Sequence, residues 1–254
     1  MGTVYDISLE SAESMVAAIK ELGIIPFFKG PVPGYSIQEM TTPDHWFDSS
    51  DDLGPWDWKI EAVQSGDIAY GKFISGGKAA FATVEWYAHL MNWRRSLPKC
   101  QPDDNETRIL EALRVSGDIG SKEIRQMLGV KKGAADNVVA KMSQKTLLLV
   151  GDIQRVYKGP TLSYKGWQTC SFCAPEALFG GDAAAGPDVS GEGLGRQGPG
   201  PDTRKVFFGG FSPFSNENPL DTGCSPTESR ARLAEHIKTI APASTDKAIA
   251  KLLD

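Results

Sequence analysis

The sequence predicts an α+β fold, mainly helical, built from winged-helix modules in tandem and closed by C-terminal helices, and three observations carry that prediction. Between Asn105 and Gly180, three short amphipathic helix patterns run into a β-rich stretch broken by turn residues. The first 98 residues repeat this order of helices before strands with less regularity. The length of 254 residues exceeds one typical domain and suits two small ones, each able to bury a core. The expected divisions are 1–98, 104–180, a Gly/Pro-rich linker or insert at 181–224, and a helical segment at 225–254.

In the N-terminal part, SLESAESMVAAIKELG offers Ser8 or Ser11 as a cap, an apolar stripe of Met15, Val16, Ile19 and Leu22, and a stop at Gly23. YSIQEMTT and DWKIEAVQSG supply second and third short helices. IAYGKFISGGKAAFA reads as a hairpin turning at Gly76-Gly77. VEWYAHLMNWRRS, with Trp86, Leu90 and Trp93 along one side, is a helix closing this half.

The middle segment is more regular. ETRILEALRVSG places Ile109, Leu110 and Leu113 on one stripe and ends at Gly117; Ser121 caps SKEIRQMLG, with Ile124, Met127 and Leu128 inward and Gly129 as C-cap. KKGAADNVVAKMSQK then turns Val138, Val139 and Met142 inward. That leaves Lys131, Lys132, Asn137, Lys141, Gln144 and Lys145 outward. Three such helices form a helix-turn-helix core, and TLLLVGDIQRVYKGPTLSYKGWQTCSF, turning at Lys158-Gly159-Pro160, is its wing. In such modules the third helix lies in the major groove and the hairpin touches the backbone, with lysines on phosphate and Asn or Gln at base edges. The same fold also serves as a protein- or ligand-contact module, so both readings stay open.

GGDAAAGPDVSGEGLGRQGPGPDT is a linker by composition. Its Gly193-to-Gly198 match to a dinucleotide fingerprint has neither the strand before nor the helix after that the chemistry needs. TESRARLAEHIKTIAP and STDKAIAKLLD read as two helices capped at Thr227 and at Ser244 or Thr245, with Leu233, Ile237, Ile249, Leu252 and Leu253 as the stripe that docks on the modules.

Composition narrows the class. No apolar run approaches the ~18 residues of a membrane span, and the N-terminus shows no signal-peptide pattern. Four scattered cysteines do not make a disulfide framework, which points to a reducing, cytoplasmic setting. The net charge of -5 divides unevenly: 7 basic against 13 acidic residues to Pro98, 12 against 9 from Lys99 to Phe179, and 8 against 10 thereafter. Only the middle is basic, which makes any attraction to phosphate local.

Five landmarks stand in order along the chain: PGYSIQEMT at Pro33 to Thr41, GPWDWK at Gly54 to Lys59, AYGKF at Ala69 to Phe73, the Arg94-Arg95 pair, and APEALFG at Ala174 to Gly180. Together they resemble the AlkZ-related family. That resemblance implies kinship with AlkZ-type alkylpurine DNA glycosylases, enzymes of tandem winged helices that excise alkylated bases and unhook crosslinks, and so implies DNA as partner and repair as setting. Those enzymes position water with a Gln-aliphatic-Gln or Gln-aliphatic-Asp motif. Here no Gln-x-Gln occurs, and Gln101-Pro102-Asp103 has proline at its centre in a polar linker, so no catalytic residue carries over. The family's two glutamines before the wing match Lys141-Met142-Ser143-Gln144, where only Gln144 remains, as a base-contact candidate.

Other constellations carry two readings each. Trp56, Asp57 and Trp58, with Tyr70 and Lys72 nearby, would stack on a base or cradle a ligand, or would anchor a core with Asp57 at a helix N-terminus. Arg94 and Arg95 would grip phosphate, or would complement a helix C-terminus. Cys170 and Cys173 have knuckle spacing, yet a strand sends them to opposite faces and zinc wants four ligands, so no metal or other cofactor is assigned. His236 reads as solvated, and His45 and His89 lack an evident acid or nucleophile partner.

Overall fold

A computed structural model describes residues 7–46, 53–180 and 218–254. The predicted insert up to residue 217, including the Gly193-to-Gly198 motif, lies outside the described residues. The described chain is α+β, with ten α-helices and six strands in two small antiparallel sheets.

The first unit runs α1 (Ala12–Leu22), β1 (Ile24–Pro26), α2 (Ile37–Met40), α3 (Pro55–Gln64), β2 (Ile68–Ile74), β3 (Lys78–Thr83) and α4 (Val84–Arg95). Ser11 rather than Ser8 caps α1, in a capping box with Ser14. Gly23 ends it at φ 73°, and a Cβ there would lie 2.2 Å from the Trp86 ring, so glycine is needed twice over. The second unit runs α5 (Asp104–Ser116), β4 (Asp118–Gly120), α6 (Ser121–Leu128), α7 (Lys132–Gln144), β5 (Leu149–Lys158), β6 (Ser163–Cys173) and α8 (Pro175–Phe179). Gly120, not Ser121, is the N-cap of α6: the Glu123 carboxylate accepts the Gly120 N–H at 2.6 Å and satisfies the helix start from within.

Both units share the order α-β-α-α-β-β, and their sheets share the strand orders β1-β3-β2 and β4-β6-β5. The registers correspond as well. Phe81 on central β3 is paired between Ile25 and Tyr70, and Phe172 on central β6 between Ile119 and Val150. Tyr70 stacks on Phe81 at 4.7 Å, a cross-strand aromatic pair that fixes register.

The C-terminal helices α9 (Pro226–Ile240) and α10 (Asp246–Leu253) complete the core of the first unit. Leu233, Ile237, Ile249, Leu252 and Leu253 are all buried in it, as their spacing predicted; each such side chain contributes ~1.5–3 kcal/mol by leaving water. Ser225, two residues before Thr227, caps α9 in a box with Glu228, because Pro226 takes the first helical position; Thr245 caps α10. The second unit keeps a separate core of Ile109, Leu113, Ile124, Val139, Met142 and Leu148.

Two of the histidines correct the sequence reading. His236 is half-buried, stacks on Trp86 at 3.7 Å and lies 2.8 Å from the Leu22 carbonyl. His89 is buried with Nδ1 3.0 Å from Ser229 Oγ, which also accepts from Asn92. Burial of this α4–α9 contact holds both imidazoles below their ordinary value.

Candidate nucleic-acid interface

The third helices of the two units have opposite fates. On α3, only Glu61 and Gln64 are exposed, because the β5–β6 hairpin lies against the helix. Ile60 and Val63 join Val150 and Ile153 in a small apolar seam. Asp57, 3% exposed, is the polar hub of this contact. Its Oδ1 accepts from Tyr164 Oη at 2.5 Å and Gln168 Nε2 at 2.9 Å; its Oδ2 accepts from the Leu53 N–H at 3.3 Å and faces Arg155 at 3.5 Å. Gly54 starts α3 at φ 62°, where a Cβ would fall 1.6 Å from the His45 carbonyl oxygen.

GPWDWK therefore builds an inter-unit joint. Trp56 donates its Nε1–H to the Gly166 carbonyl, and its ring carries the Lys59 ammonium at 3.3 Å. Desolvation pushes the Lys59 ammonium down to about 8, opposed in part by Cys170 and Asp57. Trp58 is 5% exposed, and burial holds the Tyr70 phenol above its usual range. Of the five residues expected around a ligand pocket here, only Lys72 is exposed, so the described residues leave no open cradle between the two tryptophans.

Helix α7 keeps a free face. Lys131 caps it and Lys132 opens it, both exposed, and Gly133, Asn137 and Lys141 follow at four-residue spacing as an exposed stripe. Nothing lies within 4 Å of a Cβ built at Gly133. Ala135, Val139 and Met142 face the core. The C-terminal end of α7 is packed against the first unit, where Ser143 Oγ accepts the Lys72 N–H at 2.7 Å and the Gln144 amide crowds Gly77.

The remaining cations predicted to meet DNA are spent on this junction. Lys145 donates to the buried Glu106 at 2.6 Å and to the Gln101 carbonyl at 2.9 Å. Arg94 is 4% exposed and donates to the carbonyls of Phe73, Gln144 and Leu253, joining three parts of the chain. Arg95 pairs with Glu176 and donates to the Thr146 carbonyl. Gln144 is half-buried and lines a cleft of about 170 Å³ at the foot of α7. Trp93, Lys99, Cys100, Lys141 and Lys145 share the lining.

Sequence reasoning missed Lys99, which sits in the turn after α4 and carries no local signal. It also missed the aromatic hairpin surface. Of the five exposed large hydrophobic residues described, Tyr157, Leu162 and Trp167 lie on the β5–β6 hairpin, with Lys158 5.0 Å from the Trp167 ring centre. The Gln101-Pro102-Asp103 stretch is structural: Gln101 donates to the Arg95 carbonyl, and Asp103 caps α5 in a box with Glu106. Among the described residues no group of three or more His, Cys, Asp or Glu side chains is placed to hold a metal ion, and the four thiols are unpaired.

A family model described as AlkZ-related matches residues 9–191, which is most of the chain and spans both units. The chain belongs to the AlkZ-related family. No curated protein and no solved structure matches it. Within this AlkZ-related chain the matched region holds the α3 joint, the free face of α7 and the hairpin, and the C-terminal helices fall beyond it. No described helix is long and apolar enough to cross a membrane.

Proposed function

We propose that this AlkZ-related protein binds DNA with a tandem pair of winged helices, reading it through α7 and not through α3, and without the Gln-x-Gln chemistry of AlkZ-type glycosylases. The observation that carries the reading is the contrast between the two third helices. Helix α3 is enveloped by the neighbouring hairpin, whereas α7 presents Lys131, Lys132, Asn137 and Lys141 on one open face. Lysines there meet phosphates, and Asn137 has the donor and acceptor needed at a base edge. Glycine at 133 costs the helix ~1 kcal/mol and answers no packing need, but it bares the backbone for close approach of a ligand. The hairpin, with Lys158 and Lys165 exposed beside Tyr157 and Trp167, serves as the wing.

Arg94, Arg95 and Lys145 are positioning residues in this reading: they fix the two units so that α7 is presented. The domain plan is two winged helices, 7–98 and 104–180, with α9 and α10 as part of the first. The setting is DNA repair in a reducing, cytoplasmic compartment.

The test is binding of purified protein to labelled single-stranded, duplex and alkylated DNA across a salt series, with Lys132→Ala and Lys141→Ala. Affinity should fall with salt, and each lysine removed should lower the slope by about one unit. Alkylated DNA should release no base. Absence of binding even at low salt would overturn the proposal and select the alternative, a protein-contact module using the apolar hairpin residues Tyr157, Leu162 and Trp167.

A further inference from the structure

The cleft at the foot of α7 gathers more positive charge than the packing of the two units uses. Its lining brings together Arg94, Lys99, Lys141 and Lys145 from α4, the following turn and α7, with Asp254 as the carboxylate among them. Lys145 is answered by Glu106. Lys99 and Lys141 are exposed and have no ion-pair partner among the described residues. Two unpaired ammonium groups thus share the lining with a nearly buried guanidinium.

That guanidinium is not saturated. Three of the N–H groups of Arg94 reach main-chain carbonyls, which leaves two of the five a guanidinium carries without a bond among the described residues. A guanidinium fixed by main-chain carbonyls and two unpaired ammonium groups lining one cleft are the chemistry that holds a phosphate group: directional hydrogen bonds together with opposite charge. The Trp93 ring also lines the cleft and carries Arg230 at 5.3 Å and Arg94 at 5.9 Å.

We infer that this cleft is a phosphate site, taking a phosphate group from inorganic phosphate or from a DNA strand, and sharing Lys141 with the open face of α7. It deepens the DNA reading by adding a pocket that grips one phosphate, but the site itself stands on the cleft alone. The two sources are separated by experiment.

Inorganic phosphate is titrated into the full-length protein and followed by amide NMR shifts, with Lys99→Ala, the double variant Lys99→Ala/Lys141→Ala, and Lys122→Ala, an exposed lysine on α6, as control. The expected result is a saturable response confined to residues 97–101 and 141–145, weakened at least fivefold by Lys99→Ala, further in the double variant, and unchanged in Lys122→Ala. A non-saturating response spread over surface lysines, or equal behaviour of Lys99→Ala and Lys122→Ala, overturns the site.

A short duplex with a 5′-phosphate and the same duplex with a 5′-hydroxyl are then competed against phosphate. Stronger displacement by the first identifies a strand terminus as the source, and equal displacement identifies backbone phosphates. Displacement by neither, with the phosphate response intact, keeps the site as one for the free anion and leaves DNA binding by α7 to be decided by the salt series. DNA binding that survives alongside the loss of any localised phosphate response sinks the site and leaves the α7 reading standing.

Discussion

Removing the Asp57 carboxylate tests whether the joint between α3 and the hairpin holds the two units in register. Truncating one partner of a fully buried ion pair costs ~3–5 kcal/mol. Arg155, however, is 39% exposed and 3.5 Å away, so its share is that of a surface pair, ~0–1 kcal/mol. The larger part lies in the bonds from Tyr164 and Gln168, since hydrogen bonds to a charged acceptor contribute ~1.5–3 kcal/mol each. Both donors are half-buried and recover part of this from water. Asp57→Ala is therefore expected to destabilise by about 3 kcal/mol. Asp57→Asn keeps Oδ1 for Tyr164 and Gln168 but sets an amide against Arg155 and the Leu53 N–H, a loss of about 1 kcal/mol. Urea unfolding followed by tryptophan emission reads both, because Trp56 sits in the same joint. Equal losses for Ala and Asn, or losses below ~0.5 kcal/mol for both, would refute the assignment of Asp57 as hub.

Arg94→Met leaves three main-chain carbonyls without their donor at the meeting point of β2, α7 and α10; a loss of ~3 kcal/mol or more in urea unfolding is expected, and a loss near 1 kcal/mol would show that water replaces the guanidinium. His89 and His236 predict a pH dependence. Their folded pKa values lie below the unfolded value of ~6.5, so the unfolded chain takes up protons first, and stability that is complete above about pH 7 is lost as pH falls through the folded values. Asp67 and Glu176, also held low, act only below about pH 4.5 and leave that window clear. His236→Phe keeps a ring on Trp86 and should flatten the slope between pH 7 and pH 5; an unchanged slope in thermal melts at both pH values rules out His236 as a source.

The elements were legible wherever their signals are local. Ser11, Gly23, Gly117 and Gly129 end or start helices within a turn of the residues they serve, and the stripes Ile109–Leu113 and Leu233–Ile237 need only helical spacing. What could not be read was which polar side chains the assembly would consume. Arg94 meets Phe73 and Leu253, Lys145 meets Glu106, and Asp57 meets Tyr164; these partners lie 21 to 159 residues away, and no spacing rule connects them. A periodic pattern says which face of a helix is apolar and says nothing about whether the polar face will be covered. That is why α3 and α7, alike in position and order, differ in availability. Among the described residues the first unit meets the C-terminal end of α7 through the Lys72 N–H at Ser143 and Arg94 at Gln144, while Lys131, Lys132 and Lys141 are exposed. Lys131 and Lys132 are thus exposed at the N-terminal end of α7, and Lys99 and Lys141 line the cleft at its other end without an ion-pair partner among the described residues.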